Sequence, residues 1–285
     1  MFEPSGLQAI PMPERYLSEV LHSFPGIAHH TAPLAGVEAK IYNRLWRGVI
    51  DGKLKPGMKM REELVGDAFS VSRTVVRKVL VIMEQEGIVD LPANRGAYVA
   101  TPSPELAKAA VEAARLISSH VVSNLSHSRA KITAENALRI EKHIEIQADA
   151  ETTDDFPRIR MISGEFFVLL AHVYGNPILA GQFENLITRL TLSAALYQRG
   201  ERRLRAGAEF QRSLLKKILA HDQPGSIAMI NEFYDGVEGS FSFDAEGDND
   251  KDLLAALLGP EVDAEVSPVS KRYGRRRPAS PLKDT

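Results

Sequence analysis

The chain has 285 residues, enough for two domains, and its formal charge of −2 means that any affinity for a polyanion has to come from a local basic surface. It has no cysteine, which excludes disulfides and thiolate metal sites and suits a reducing cytoplasm, the expected location. No basic start followed by an apolar core opens the sequence and no apolar run approaches the length of a membrane span, so no membrane partner is expected.

Residues 1–33 mix Pro, Gly, Ser and His and read as a flexible extension with one short helix between Pro13 and Phe24. A domain is expected over residues 34–101. Val37, Ile41, Leu45 and Val49 mark an amphipathic helix ending near Gly52, with Lys40, Arg44 and Arg47 on its wet side. Pro56-Gly57 makes a turn, and Glu62–Phe69 forms a short helix with Leu64, Ala68 and Phe69 facing inward. After Ser70-Val71-Ser72 a second helix begins, its first turn open to capping by the Ser72 hydroxyl. Val76, Val79, Leu80 and Met83 give it one apolar face, and Gly87 ends it. Its other face groups Arg73, Thr74, Arg77 and Lys78 in the first two turns. Two short apolar runs, Ile88–Leu91 and Ala97–Ala100, then flank Pro92-Ala93-Asn94-Arg95-Gly96, a hairpin with Arg95 and Gly96 at its tip.

That order is helix, turn, recognition helix, wing. A recognition helix presents its N-terminal residues to base edges in a major groove, and the arginine fork matches guanine O6 and N7 together. Taken alone, RTVVRK would read as a solvated charged face; the flanking helix, the polar turn and the hairpin favour DNA. Residues 36–100 hold eleven Lys and Arg against eight Asp and Glu, a small local excess of the right sign. Candidate DNA contacts are Arg44, Arg47, Ser72, Arg73, Thr74, Arg77, Lys78, Arg95 and Gly96.

Pro102 and Pro104 separate this unit from residues 102–243, which read as an antiparallel helical bundle. Helices are expected over Glu105–Leu125, Ala134–Ala150, Asp155–Tyr174, Pro177–Gln198, Arg202–His221 and Pro224–Ser240, with Gly175-Asn176-Pro177 as a sharp stop and start. Glu141, His143 and Glu145 read as part of a wet helix face. Residues 244–285 run from an acidic stretch through a short apolar turn to a basic cluster, Lys271 to Arg277, and read as a flexible tail. The fold class is therefore mostly α, a winged helix-turn-helix domain followed by an all-helical bundle.

The words LKPGMKMREELVGDAFSVSRTVVRKVL and EGIVDLPANRGAYVATPS resemble the winged-helix domain of the GntR family of bacterial transcription regulators. Val75 stands where many members have proline, and Lys78 where they usually have glutamate. The resemblance continues to about residue 240, where the chain looks like the FCD-type effector domain of the FadR subfamily. That family typically holds a metal through an Asp and a His four apart on one helix and two further His from later helices. The segments that align with these positions place Ser163 and Phe167 at the first pair, Gln211 at the third, and Phe233 or its neighbour Tyr234 at the fourth. The resemblance thus implies a site without metal and a chain without a cofactor, because the donors that divalent metals favour are missing. Arg115 and Arg189 match positions where the family often carries arginine, which can clamp a carboxylate without an ion. The candidate effector contacts are Arg115, Ser163, Phe167, Arg189, Gln211 and Phe233. The aromatic members could equally fill the place as core.

Two functions follow. One is a regulator, expected to repress, that binds a palindromic operator as a homodimer and responds to a small organic effector, such as a carboxylate with an apolar body. The other is a ligand-independent DNA-binding dimer whose bundle serves only to dimerise. No nucleophile–base pair, Gly-rich phosphate loop or metal cluster supports an enzyme.

Overall fold

The computed structural model describes residues 16–24, 34, 36–127, 132–153, 155–198 and 205–243, and among these described residues it has ten helices and three short strands. Arg202 and the acidic, apolar and basic parts of the tail lie outside the described residues, and the helix expected from Arg202 starts only at Ala208, residues 205–207 being non-helical.

The first domain follows the expected order. Helix α2 is Val37–Ile50, α3 Glu62–Phe69 and α4 Arg73–Gln85. Strands β2 (Val89–Asp90) and β3 (Ala97–Val99) form the wing, and β3 also pairs with β1 (Lys59–Met60), giving the antiparallel order β1-β3-β2. The third strand was not expected: two residues after a Pro-Gly turn carry too little periodicity to read. Within α4, Val76, Val79, Leu80 and Met83 are buried as the 3.6-residue period requires. Two inward assignments change. Val65 and Gly66 are the buried residues of α3, whereas Ala68 is exposed, and Val37 at the first turn of α2 also faces out. Ser72 holds the N-cap position but its side chain makes no capping hydrogen bond.

The second domain consists of α5 (Pro104–Leu125), α6 (Ala134–Glu151), α7 (Phe156–Tyr174), α8 (Pro177–Tyr197), α9 (Ala208–Leu219) and α10 (Gln223–Gly239). Side chains close the free amides of several first turns: Ser103 to Leu106, Thr133 to Asn136, Asn176 to Leu179 and Asp222 to Gly225. Gly175 (φ 87°) ends α7 in the left-handed conformation, so the Gly-Asn-Pro stop and start falls where it was expected. The core is built on Phe166, Phe183 and Tyr234, all fully buried.

The two domains share packing. Met161, Leu192 and Tyr197 of the bundle join the apolar core of the winged helix, and the Tyr197 hydroxyl donates to the Pro102 carbonyl at 2.8 Å. The N-terminal part departs most from expectation. Residues 16–24 are docked on the bundle rather than extended from it, with α1 (Glu19–His22) in place of the longer helix expected up to Phe24. Tyr16, Val20 and Leu21 are buried in the bundle core. The backbone amides of Leu17 and Ser18 donate to the two carboxyl oxygens of Glu165 at 2.6 and 2.9 Å. The Ser18 hydroxyl meets His143 Nδ1 at 3.0 Å, and Lys142 pairs with Glu19 at 2.7 Å.

Candidate functional site

Helix α4 and the wing enclose a concave surface of about 840 Å³ lined by Arg73, Thr74, Arg77, Lys78, Val81, Gln85, Asn94 and Gly96, among others. Positive φ at Asn94 (59°) and Gly96 (89°) makes the wing turn, and the Tyr98 hydroxyl donates to the Arg95 carbonyl at 3.0 Å, fixing the tip. Arg95 carries no ion pair among the described residues. The Lys59 ammonium lies 5.8 Å from the Tyr98 ring centre, so β1 adds a cation beside the wing.

The cations of α4 are held by carboxylates of earlier helices. Glu62 reaches Arg77 Nη1 at 2.5 Å and Arg73 Nη2 at 3.6 Å, and Glu63 reaches Arg73 Nη1 at 3.1 Å. Both oxygens of Glu38 accept from Lys78, at 2.9 and 2.7 Å. Sequence reasoning missed Glu62, Val81, Gln85 and Asn94 as groove residues. Val81 is 38% exposed, and its place four residues after Arg77, with Gln85 four further on, was the available signal. Arg44 and Arg47 are not brought to this groove. They line a separate cleft of about 440 Å³ with Asp51, Lys53, Asp155 and Pro157, where the end of α2 meets the start of α7. Arg47 is nine residues after Glu38, half a helical turn around α2 from the side that touches Lys78.

In the bundle, Ser163, Phe167 and Phe233 come together around a cavity of about 50 Å³, with Gly164, Thr191, Gln198, Tyr234 and the arginines Arg160 and Arg205. Gln211 lies beside it: Ser163 Oγ accepts from the Ala206 amide and Gln211 Nε2 donates to the Ala206 carbonyl, both at 2.7 Å. Gln211 Oε1 is buried and accepts no hydrogen bond among the described residues. Phe167 packs on Phe233 and Tyr234 at ring-centre distances of 5.2 and 5.9 Å, and Phe210 closes the group at 5.2 Å from Phe233. The Tyr234 hydroxyl is buried on Ser118 at 2.9 Å, and its burial raises the phenol pKa.

Two expected effector residues lie elsewhere. Arg115 pairs with Asp235 at 2.7 Å on the outside of α10, where a second carboxylate, Glu238, stands 4.0 Å away. Arg189 projects from α8 toward the end of the recognition helix: its Nη2 is 3.5 Å from the Gln85 carbonyl, and its guanidinium lies where a side chain on Gly87 would fall. The arginines of the cavity, Arg160 and Arg205, went unread because neither belongs to an apolar or motif pattern.

The histidines divide. His143, expected on a wet face, is fully buried between Ser18 and the Ile162 carbonyl, and burial holds its imidazole down at about pKa 4. Its neighbours Glu141 and Glu145 are exposed, as expected. His172 is half-buried, with Nε2 at 2.6 Å from Glu184. Among the described residues, no three His, Cys, Asp or Glu side chains gather where they could hold a metal ion. No helix of the described residues is long and apolar enough to cross a membrane.

A winged helix whose recognition face opens onto a charged groove, joined to a helical bundle, defines a class of DNA-binding regulator. Residues 38–99 match the family described as bacterial regulatory proteins, gntR family. The fold is similar to a crystal structure described as a transcriptional regulator GntR from Rhodococcus sp. RHA1, with 16% identity and a TM-score of 0.61 over 71% of this chain and 95% of that one. It is also similar to E. coli McbR/YncC, with 18% identity and a TM-score of 0.56 over 71% and 95% of the two chains. At these identities the likeness is one of fold. No curated protein matches the sequence. Residues 38–99 therefore form a GntR-type helix-turn-helix DNA-binding domain, of the kind carried by bacterial regulatory proteins.

Proposed function

We propose that this regulator is a homodimeric repressor that binds a palindromic operator and is released by a small organic ligand in the bundle. A two-fold dimer places one recognition helix in each half-site. The observation that carries the ligand is a polar pair at the bundle cavity, Ser163 in its lining and Gln211 beside it. Ser163 and Gln211 converge on one loop, with the Gln211 carbonyl oxygen buried and unbonded beside the aromatic group. The ligand that fits is a carboxylate with an apolar body. Arg160 and Arg205, which line the cavity, are better placed to grip it than Arg115 or Arg189. Neutral Ser163 and Gln211 oxygens cannot offset the desolvation of a dication, so the site is proposed to work without metal. Ligand binding would move α8, which lines the cavity through Ile187, Leu190, Thr191 and Ala194 and touches the recognition helix through Arg189.

A thermal-shift screen of organic acids against the full chain tests this, followed by operator binding with and without each hit. A carboxylate that raises Tm and weakens DNA binding is expected. Sedimentation velocity on the full chain should give a dimer at micromolar concentration. The second reading, a ligand-independent dimer, is favoured by the cavity's size: about 50 Å³ is room for one or two waters. It stands if no acid shifts Tm and operator binding ignores them all.

A further inference from the structure

The carboxylates behind the recognition helix carry one more inference. Arg73, Arg77 and Lys78 are 65%, 53% and 51% exposed, so their outer N–H groups face solvent. Glu62 is not exposed in this way: its side chain is 9% exposed, set in the first turn of α3, where the helix N-terminus favours negative charge. One half-buried carboxylate therefore braces two exposed guanidinium groups. Arginine has five N–H donors in a rigid fork, so a fork that gives one edge to a carboxylate keeps the rest in a set direction.

This arrangement acts differently on the two kinds of DNA contact. Non-specific affinity follows the number of phosphates that cations neutralise, with counterion release as its source. A guanidinium already paired with a carboxylate contributes less to that, and Glu62 repels an approaching phosphate. A base edge instead rewards direction, because bidentate bonding to guanine needs the fork aligned. We propose that Glu62 is the specificity-determining residue of this groove: it orients Arg73 and Arg77 toward base edges and withholds them from the backbone. The proposal rests on the reading of α4 as the helix that contacts DNA.

The test uses the full chain and two duplexes of equal length. One is the tightest sequence that the wild-type protein selects from a random pool, and the other is its shuffled counterpart. Glu62→Gln keeps the shape and one acceptor but removes the charge. Binding to the shuffled duplex is expected to tighten about tenfold at low salt, and the slope of log K against log salt should steepen by about one. The ratio of selected to shuffled affinity should fall about tenfold, the cost of one lost oriented contact. Glu63→Gln, which frees only an exposed partner of Arg73, should move both readouts the same way by less. General damage to the fold would weaken binding to both duplexes, so tighter shuffled binding separates specificity from stability. An unchanged ratio in Glu62→Gln, or shuffled binding that does not tighten, overturns the proposal. Failure of the wild-type protein to select any sequence, or indifference of its binding to Arg73→Ala with Arg77→Ala, would instead remove the reading of α4 itself.

Discussion

The groove beside the recognition helix and the cavity in the bundle are built in opposite ways. The groove is about 840 Å³, open, and edged by cations that stand on carboxylates. The cavity is about 50 Å³ and walled in part by aromatic rings, and Ser163 and the neighbouring Gln211 are turned onto the loop at Ala206. A charged partner can enter the groove without moving the core, and its affinity will be screened by salt. Anything larger than a water enters the cavity only by displacing packed rings. One region is set for recognition from solvent, and the other has packing as the cost of response.

The docked N-terminal segment tests the packing side most severely. Leu21 is fully buried against the bundle. Leu21→Ala should cost about 2–5 kcal/mol of stability in urea unfolding. A loss below about 1 kcal/mol, typical of a surface site, would return residues 16–24 to the status of a loose extension. On the recognition side, Arg73→Ala and Arg77→Ala should each cost about 1–3 kcal/mol of operator affinity while leaving stability within about 0.5 kcal/mol. Equal damage to stability and affinity would show that the groove and the core are not separable in the way their construction implies.

The buried acid Glu165 sharpens the same contrast through pH. Burial pushes its carboxyl up to about pKa 8, against the pull of the Leu17 and Ser18 amides. The folded state therefore keeps a proton that the unfolded chain, with an ordinary carboxyl near 4.5, has released. Its contribution is full below pH 4.5 and is lost as pH rises toward 8. His143 acts in the opposite sense: with its imidazole held near 4 rather than 6.5, it costs stability as pH falls below 6.5. Between 4.5 and 6.5 the two slopes oppose each other. Above 6.5 only Glu165 remains, and stability should fall by up to about 1.4 kcal/mol per pH unit toward pH 8. The difference in Tm between wild type and Glu165→Gln, followed from pH 6.5 to 8, isolates this term. A constant difference across that range would mean that Glu165 is ionised in the fold throughout.

What could be read from the chain divides along the same line. The elements from α2 to the wing follow one another within residues 37–99, so local periodicity, Pro-Gly and Asn-Arg-Gly turns and the polar link before Arg73 were enough to order α2, α3, α4 and the wing. Its ion pairs were not legible, because Glu38 meets Lys78 across forty residues and nothing in either helix pattern says so. Most bundle helices were bounded to within a few residues by their caps and by Gly175-Asn176-Pro177, whereas α9, with no side-chain cap, begins at Ala208, six residues after the expected Arg202. The docking of residues 16–24 depends on Glu165, almost 150 residues away, and a Pro-rich segment gives no sign of such a partner. Arg189 shows a different limit. Its place on α8 was read correctly, but a helix pattern gives no direction for a long side chain, and this one turns to the other domain.

The smallest expected effect belongs to Arg95. It is exposed like Arg73 and Arg77 but stands at a wing tip with no carboxylate on it among the described residues. A free cation at a wing meets phosphate or a minor groove, where it adds affinity and little sequence choice. Arg95→Ala should therefore weaken selected and shuffled duplexes alike, by less than about 1 kcal/mol near physiological salt, and reduce the salt slope by about one. Glu62→Gln is expected to steepen that same slope, so the two variants should move it in opposite directions from the wild type. If Arg95→Ala leaves the slope unchanged while lowering affinity at every salt concentration, the tip makes no ionic contact. The wing would then have to act through Asn94 and Gly96, which line the groove on the side facing α4.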